Sequence, residues 1–349
     1  MMNTLTATSM FESEAAQIPA LLARQAQRLP PLLKELVARL DRLAPTLIAT
    51  VARGSSDNAA AFAGYAAVLG LGLPVASLPP SVASVYGRTL RLERAVALAI
   101  SQSGASPDLV LTARAARSGG ALTVGLINEQ GSALAREVEF EIQIDAGPER
   151  AIAATKTFML SATAALHLIA AWNRDAPLHA ALAEFPETLE RCKNVDWTIA
   201  TRMLAGREHV FVVGRGPAFP LAKELALKLE EVSGLPADAQ SAAELLHGPI
   251  SMASPRMVAI VLAGDLHSRE SVRAATARLY AAGVPVLLLA PESEPAYGGE
   301  VIHVPEAAHE LLQPLVSLYA MYPALAHLAR RRGRDPDRPP HLEKSTLTR

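Results

Sequence analysis

Ala95-Val96-Ala97-Leu98-Ala99-Ile100-Ser101-Gln102-Ser103-Gly104-Ala105-Ser106-Pro107 is the stretch on which the fold turns. Six apolar residues in a row, too few for a helix and bounded by turn formers, predict a strand buried on both faces. The serine-rich loop then opens a helix over 107–117, which Gly119-Gly120 stops, and 121–127 is a second buried strand. Upstream, 46–52 reads as a strand that passes through Arg53-Gly54-Ser55-Ser56-Asp57 into an Ala-rich helix ending near Gly70. Short apolar strands alternating with helices define an α/β chain, a parallel sheet covered by helices on both faces in a three-layer, flavodoxin-like sandwich.

The pattern recurs. Residues 210–213 are apolar and β-branched, followed by Gly214-Arg215-Gly216-Pro217 and a helix through Val232. A strand at 257–262, a helix over 269–281 and a strand at 284–289 complete the series. Arg53-Gly54 and Arg215-Gly216 lie 162 residues apart (215 less 53), and the same offset sets Ser101 against Ala263 and Val124 against Val286. So long a period means duplication of a whole domain and not a solenoid. The expected layout is a helical segment over 1–34, domains over 35–185 and 200–335 joined around Pro186 to Asp196, and a tail over 336–349. Within 15–45, helical spacing puts Leu21, Leu22, Leu32, Leu33, Leu36, Leu40 and Leu43 on one apolar face.

Composition narrows the function. The chain has 349 residues, enough for two domains with their own cores. Its 33 basic and 34 acidic residues give a net charge of −1, and only 4% are aromatic, so neither an electrostatic nor a stacking platform for nucleic acid is expected. No run of about 18 apolar residues suggests a membrane span. The first twelve residues lack the charged and apolar regions of a secretory signal, and the cytosol is the expected compartment. The single cysteine, Cys192, rules out an internal disulfide framework and a cysteine-based zinc site. Arg330-Arg331-Arg332-Gly333-Arg334 reads as a solvated helix end.

The serine loop leaves a strand at the carboxyl edge of a parallel sheet, where such sheets bind ligands. Backbone N–H groups at a helix start attract anions, and three hydroxyls with Gln102 add donors without charge, which suits a phosphate monoester that must be released. Ser55 and Ser56, ending a neighbouring strand, extend the cradle. The matching loop of the second half, Ala263-Gly264-Asp265-Leu266-His267-Ser268, carries an aspartate that repels phosphate, so one anion site per chain is expected. Lys228 and Glu231, three apart, share a helix face and by spacing alone form an ordinary exposed ion pair. His247 precedes Gly248-Pro249 on a turn, where an imidazole can open a sugar ring. Pro339-Pro340 ends the last helix, and Lys344 beyond it is ordinarily disordered surface, although a desolvated lysine there could form a Schiff base.

As a set these motifs resemble tandem SIS (sugar isomerase) domains, as in the isomerase part of glucosamine-6-phosphate synthase and in stand-alone SIS-type glucosamine-6-phosphate deaminases. The resemblance is carried by Arg53-Gly54-Ser55-Ser56, Ser101-Gln102-Ser103-Gly104, Ala146-Gly147-Pro148-Glu149 with Ala153-Ala154-Thr155-Lys156, and Gly214-Arg215-Gly216. Ala226-Leu227-Lys228-Leu229-Glu230-Glu231, Glu244-Leu245-Leu246-His247-Gly248-Pro249 and the tail from Leu342 to Ser345 complete it in the family's order. It implies that Ser56, Ser101, Gln102, Ser103 and Ser106 hold the phosphate, with Gly54, Ser55, Ala153 and Glu343 also at the substrate. It further implies Glu231 as the base between C1 and C2 with Lys228 beside it, His247 as the ring opener reaching a partner's site, and Lys344 as the Schiff-base lysine.

A homodimer that takes a small amino sugar phosphate, with no nucleic acid and no membrane, follows from the same resemblance. There are departures from it. The synthase begins with a glutaminase domain whose N-terminal cysteine is the nucleophile, and neither is found here. Ser106 replaces the synthase's usual threonine and looks deaminase-like, while Glu343-Lys344-Ser345 looks synthase-like. The implied reaction converts glucosamine 6-phosphate to fructose 6-phosphate and ammonia and needs no metal or redox cofactor, because an iminium supplies the electron sink. The alternatives are a glutaminase-less synthase-like isomerase, another aldose–ketose sugar phosphate isomerase, and a non-catalytic sugar-phosphate sensor.

Overall fold

The computed structural model describes residues 8–295 and 297–344. Two compact units divide the chain. One comprises Ala20–Glu149 and Ala154–Ala183 with the tail from Glu343, and the other comprises the chain up to Pro19, Arg150–Ala153 and Glu184–Leu342.

Each unit is built on one five-stranded parallel sheet. In the first, β1 (Leu47–Val51), β2 (Val75–Ser77), β3 (Ala95–Ser101), β4 (Leu122–Ile127) and β5 (Phe140–Gln143) are ordered β2-β1-β3-β4-β5. In the second, β6 (His209–Gly214), β7 (Ala237–Ser241), β8 (Met257–Leu262), β9 (Val286–Pro291) and β10 (Glu300–Val304) are ordered β10-β9-β8-β6-β7, the same topology. Every residue of β3, β4 and β8 is buried, as uninterrupted apolar runs require in a sheet covered on both faces. Strand order reverses between β1 and β3, and again between β6 and β8, opening a crevice at their carboxyl ends where doubly wound sheets take ligands.

The 162-residue offset holds for β6, β7 and β8 but slips at β9, where Leu98 pairs with Val124 while Ile260 pairs with Leu287 and not with Val286. Adding 162 to Leu47–Val51 gives 209–213, inside β6, and adding it to Ala95–Ser101 gives 257–263, over β8. The four edge strands β2, β5, β7 and β10 were not predicted. They have three to five residues and keep an exposed side, so they carry no continuous apolar run. The helix Ile18–Leu43 forms where its spacing predicts and buries Leu22, Leu33, Leu36 and Leu40. Leu32, placed on the same face by the sequence, is 61% exposed, because it lies about 100° around the helix from Leu33. The last helix, Gln313–Arg331, ends through Gly333 in the left-handed region and not at Pro339-Pro340. Among the described residues no helix is long and apolar enough to cross a membrane.

One buried titratable pair lies in the helices packed around the first sheet. His167 is 3% exposed and its ring meets that of His179 edge-on at 6.1 Å. Burial first, then the neighbouring imidazole, pushes the His167 pKa from 6.5 down to about 4. The folded state therefore disfavours the protonated ring. The stabilising contribution is complete above the unfolded value and disappears as pH falls from 6.5 toward 4, a loss of about 3 kcal/mol. Urea unfolding across this range should show that acid-side loss in the native protein and a shallower one in His167→Leu. Equal slopes would contradict the assignment.

Candidate functional site

The serine loop joins the last residue of β3 to the helix Pro107–Ser118 at the crevice of the first sheet. Ser101 is buried, and its Oγ accepts from the Gly104 N–H at 3.0 Å, while Ser103 Oγ accepts from Ala105 N–H at 3.3 Å. Gly104 sits at φ +57, and a Cβ there would run into Ser132, so the tight loop demands glycine whatever ligand approaches. Ser106 is the N-cap of the helix but its side chain makes no capping bond, leaving the hydroxyl directed elsewhere. Gln102 Nε2 reaches Glu129 Oε1 at 3.5 Å. The strand end expected at Ser55 and Ser56 is instead the first turn of the helix Gly54–Leu71, so both present N-terminal N–H groups.

Two helix starts thus converge on one crevice, and the negative charge beside them is neutralised. Asp108, fully buried, receives Arg53 Nε at 2.9 Å and Nη2 at 2.6 Å. This pair ties the turn after β1 to the helix after the serine loop. In the second sheet the equivalent turn has its own carboxylate. Asp265 Oδ1 accepts from His267 N–H at 2.9 Å and Ser268 N–H at 2.8 Å, occupying donors that an external anion would need.

The tail from Glu343 also belongs to the first unit. Lys344, with 28% of its side chain exposed, donates to Glu149 Oε2 at 3.0 Å. Glu149 is fully buried; burial raises its pKa, but Lys344, Thr157 and the Thr155 N–H together hold it below the ordinary carboxylate value. Glu343 is exposed and Ala153 buried.

In the second unit Lys228 is no exposed ion pair. Its side chain has no solvent exposure and lies 3.4 Å from the equally buried Glu224, while it also bonds Glu231, which is 22% exposed. The helix Ala218–Lys228 gives way to a π-helical turn, Leu229–Ser233, at the position of Glu231. The corresponding helix of the first unit, Gly54–Leu71, is α-helical throughout. A π turn is a costly local widening that is commonly found at functional sites.

Arg332 braces this turn and Arg330 binds the first helix, so these two arginines are not merely solvated. Arg332 Nε donates to Ser233 O at 3.0 Å and Nη2 to Gly234 O at 3.3 Å, while Arg330 Nη1 donates to Glu12 Oε1 at 3.0 Å. His247 ends the short helix Ala242–His247 and is exposed. Glu224, four residues before Lys228, is a site neighbour that helical spacing alone can reveal. Glu149 ends Ala146-Gly147-Pro148-Glu149, but its partner lies 195 residues away and no local pattern reveals it.

The two units thus repeat one parallel α/β topology but differ in local chemistry, a hydroxyl-rich loop at the crevice of the first sheet and a carboxylate held by a buried lysine in the second unit. The SIS domain model matches residues 46–171 and 203–330, and the chain belongs to the SIS domain family. It is 35% identical over 268 residues to the glutamine–fructose-6-phosphate aminotransferase (isomerizing) of Thermus thermophilus, a match covering 72% of this chain and 44% of that one. The chain therefore spans less than half the length of that relative, and it is homologous to the isomerase part of such aminotransferases.

A candidate phosphosugar isomerase from Silicibacter pomeroyi DSS-3 superposes with a TM-score of 0.89 at 38% identity, over 95% of this chain and 100% of that one. The glucosamine-6-phosphate deaminase of Thermotoga maritima shares the fold, with a TM-score of 0.71 at 21% identity, over 96% and 100%.

Proposed function

We propose that the chain deaminates and isomerises an amino sugar 6-phosphate, with glucosamine 6-phosphate yielding fructose 6-phosphate and ammonia. The observation that carries this reading is the buried Lys228, which fixes the Glu231 carboxylate on a π turn, an arrangement with no counterpart in the first unit. The serine loop, with Ser56 and Gln102, binds the phosphate. His247 takes the proton from O1 and returns one to the ring oxygen, opening the aldehyde. Glu231 removes the C2 proton as O1 is protonated, then delivers a proton to C1, leaving an iminium at C2. Lys344 adds to C2, ammonia leaves, and water hydrolyses the resulting Schiff base to the ketose. The active form is a homodimer in which His247 serves the partner's site.

A coupled assay for ammonia over a panel of sugar phosphates tests this. Glucosamine 6-phosphate should release ammonia and fructose 6-phosphate in equal amounts. Turnover of an aldose or ketose phosphate without ammonia from any amino sugar would replace deamination by plain isomerisation, and binding without turnover would make the chain a sensor.

A further inference from the structure

We propose that Glu149 is the positioning residue of Lys344, a buried carboxylate that captures the tail and presents its amine from one fixed point. The chemical role of Lys344 rests on the function proposed above, whereas the capture itself does not. Glu149 is locked before the lysine arrives. Its Oε1 accepts from Thr155 N–H at 2.9 Å and Thr157 N–H at 3.1 Å, and its Oε2 accepts from Thr157 Oγ1 at 2.6 Å. Lys344 Nζ adds a fourth donor on Oε2.

The Thr155 and Thr157 donors are uncharged, so they leave the charge of a fully buried carboxylate uncompensated, and the partly exposed Lys344 of the tail supplies a cation to it. The preceding tail residues His341, Leu342 and Glu343 are exposed. The tail is thus held at its lysine head more than along its length. Lysine carries large rotamer entropy, and an amine that must form a bond at a defined carbon gains rate when that freedom is lost beforehand.

Glu149→Gln separates positioning from mere loop support, because the amide keeps an oxygen for the threonine donors but presents an N–H group to the ammonium. Lysine reactivity toward formaldehyde and cyanoborohydride, read by mass spectrometry of the tail peptide, reports capture without any substrate. In the native protein Lys344 should label about tenfold more slowly than the exposed Lys193, and Glu149→Gln should remove that difference. In the same variant kcat for ammonia release should fall about tenfold to a hundredfold, with KM changed less than about twofold. Glu149→Asp, which keeps the charge, should restore part of the shielding.

Lys344 labelling as fast as Lys193 in the native protein overturns the proposal even if the glutamine variant does not fold. So does equal labelling of Lys344 in both proteins. Shielding that is lost in Glu149→Gln, in a protein that turns over no amino sugar phosphate, would uphold the capture and refute the reaction.

Discussion

Glu231→Gln should lower kcat for ammonia release by about a thousandfold or more while leaving the affinity for the sugar phosphate nearly unchanged, since a positioned base contributes roughly 10² to 10⁴. The substitution is close to isosteric. Glutamine can still accept from Lys228 through its amide oxygen, so the buried ammonium keeps a partner in addition to Glu224. What the proposed reaction would lose is the base that takes a proton from C2 and returns it to C1. The proposed phosphate cradle lies in the other unit, away from the substitution, so calorimetric titration with a sugar phosphate should give the native dissociation constant. The circular dichroism spectrum and unfolding midpoint serve as controls for the π turn. An undiminished kcat would remove Glu231 from the mechanism and direct attention to His247 or Lys344.

Much of this arrangement is legible in the sequence, for definite physical reasons. The central strands β1, β3, β4, β6 and β8 are buried on both faces, so burial writes itself as continuous apolar runs. The 162-residue offset then places β6, β7 and β8 of the second sheet, while β9 and β10 slip out of it by one and two residues. Edge strands escape because they bury one side at most, and Asp238 in β7 or Glu141 in β5 resembles loop chemistry. At the site, spacing finds pairs within a helix but not their surroundings. The Lys228–Glu231 pair reads as an exposed salt bridge because sequence does not report that the Gln313–Arg331 helix and the π turn remove it from water. The arginine run reads as solvated for the same reason, since its partners Glu12 and Ser233 lie far away in the chain. The π turn itself leaves no mark, because Leu229-Glu230-Glu231-Val232-Ser233 suits an α-helix equally well.

Lys228→Met should destabilise the protein by about 3–5 kcal/mol and abolish turnover, the largest stability effect expected of any site residue. Lys228 and Glu224 both have no side-chain exposure. Removing the ammonium leaves the Glu224 carboxylate buried without its compensating charge, and methionine, similar in volume, cannot hydrogen-bond it. Two costs are then superimposed, an uncompensated buried charge and a mispositioned base, and a second substitution separates them. Glu224→Gln added to Lys228→Met removes the buried charge, so the double variant should recover most of the lost stability, as replacement of whole buried ion pairs generally does. It should not recover turnover, because Glu231 would still lack the group that fixes it. Urea unfolding of the four proteins of this cycle measures the first effect and the ammonia assay the second. If the double variant remains as unstable as Lys228→Met, the cost lies in packing around the π turn. If it regains activity, Lys228 serves the fold alone and Glu231 needs no fixed partner.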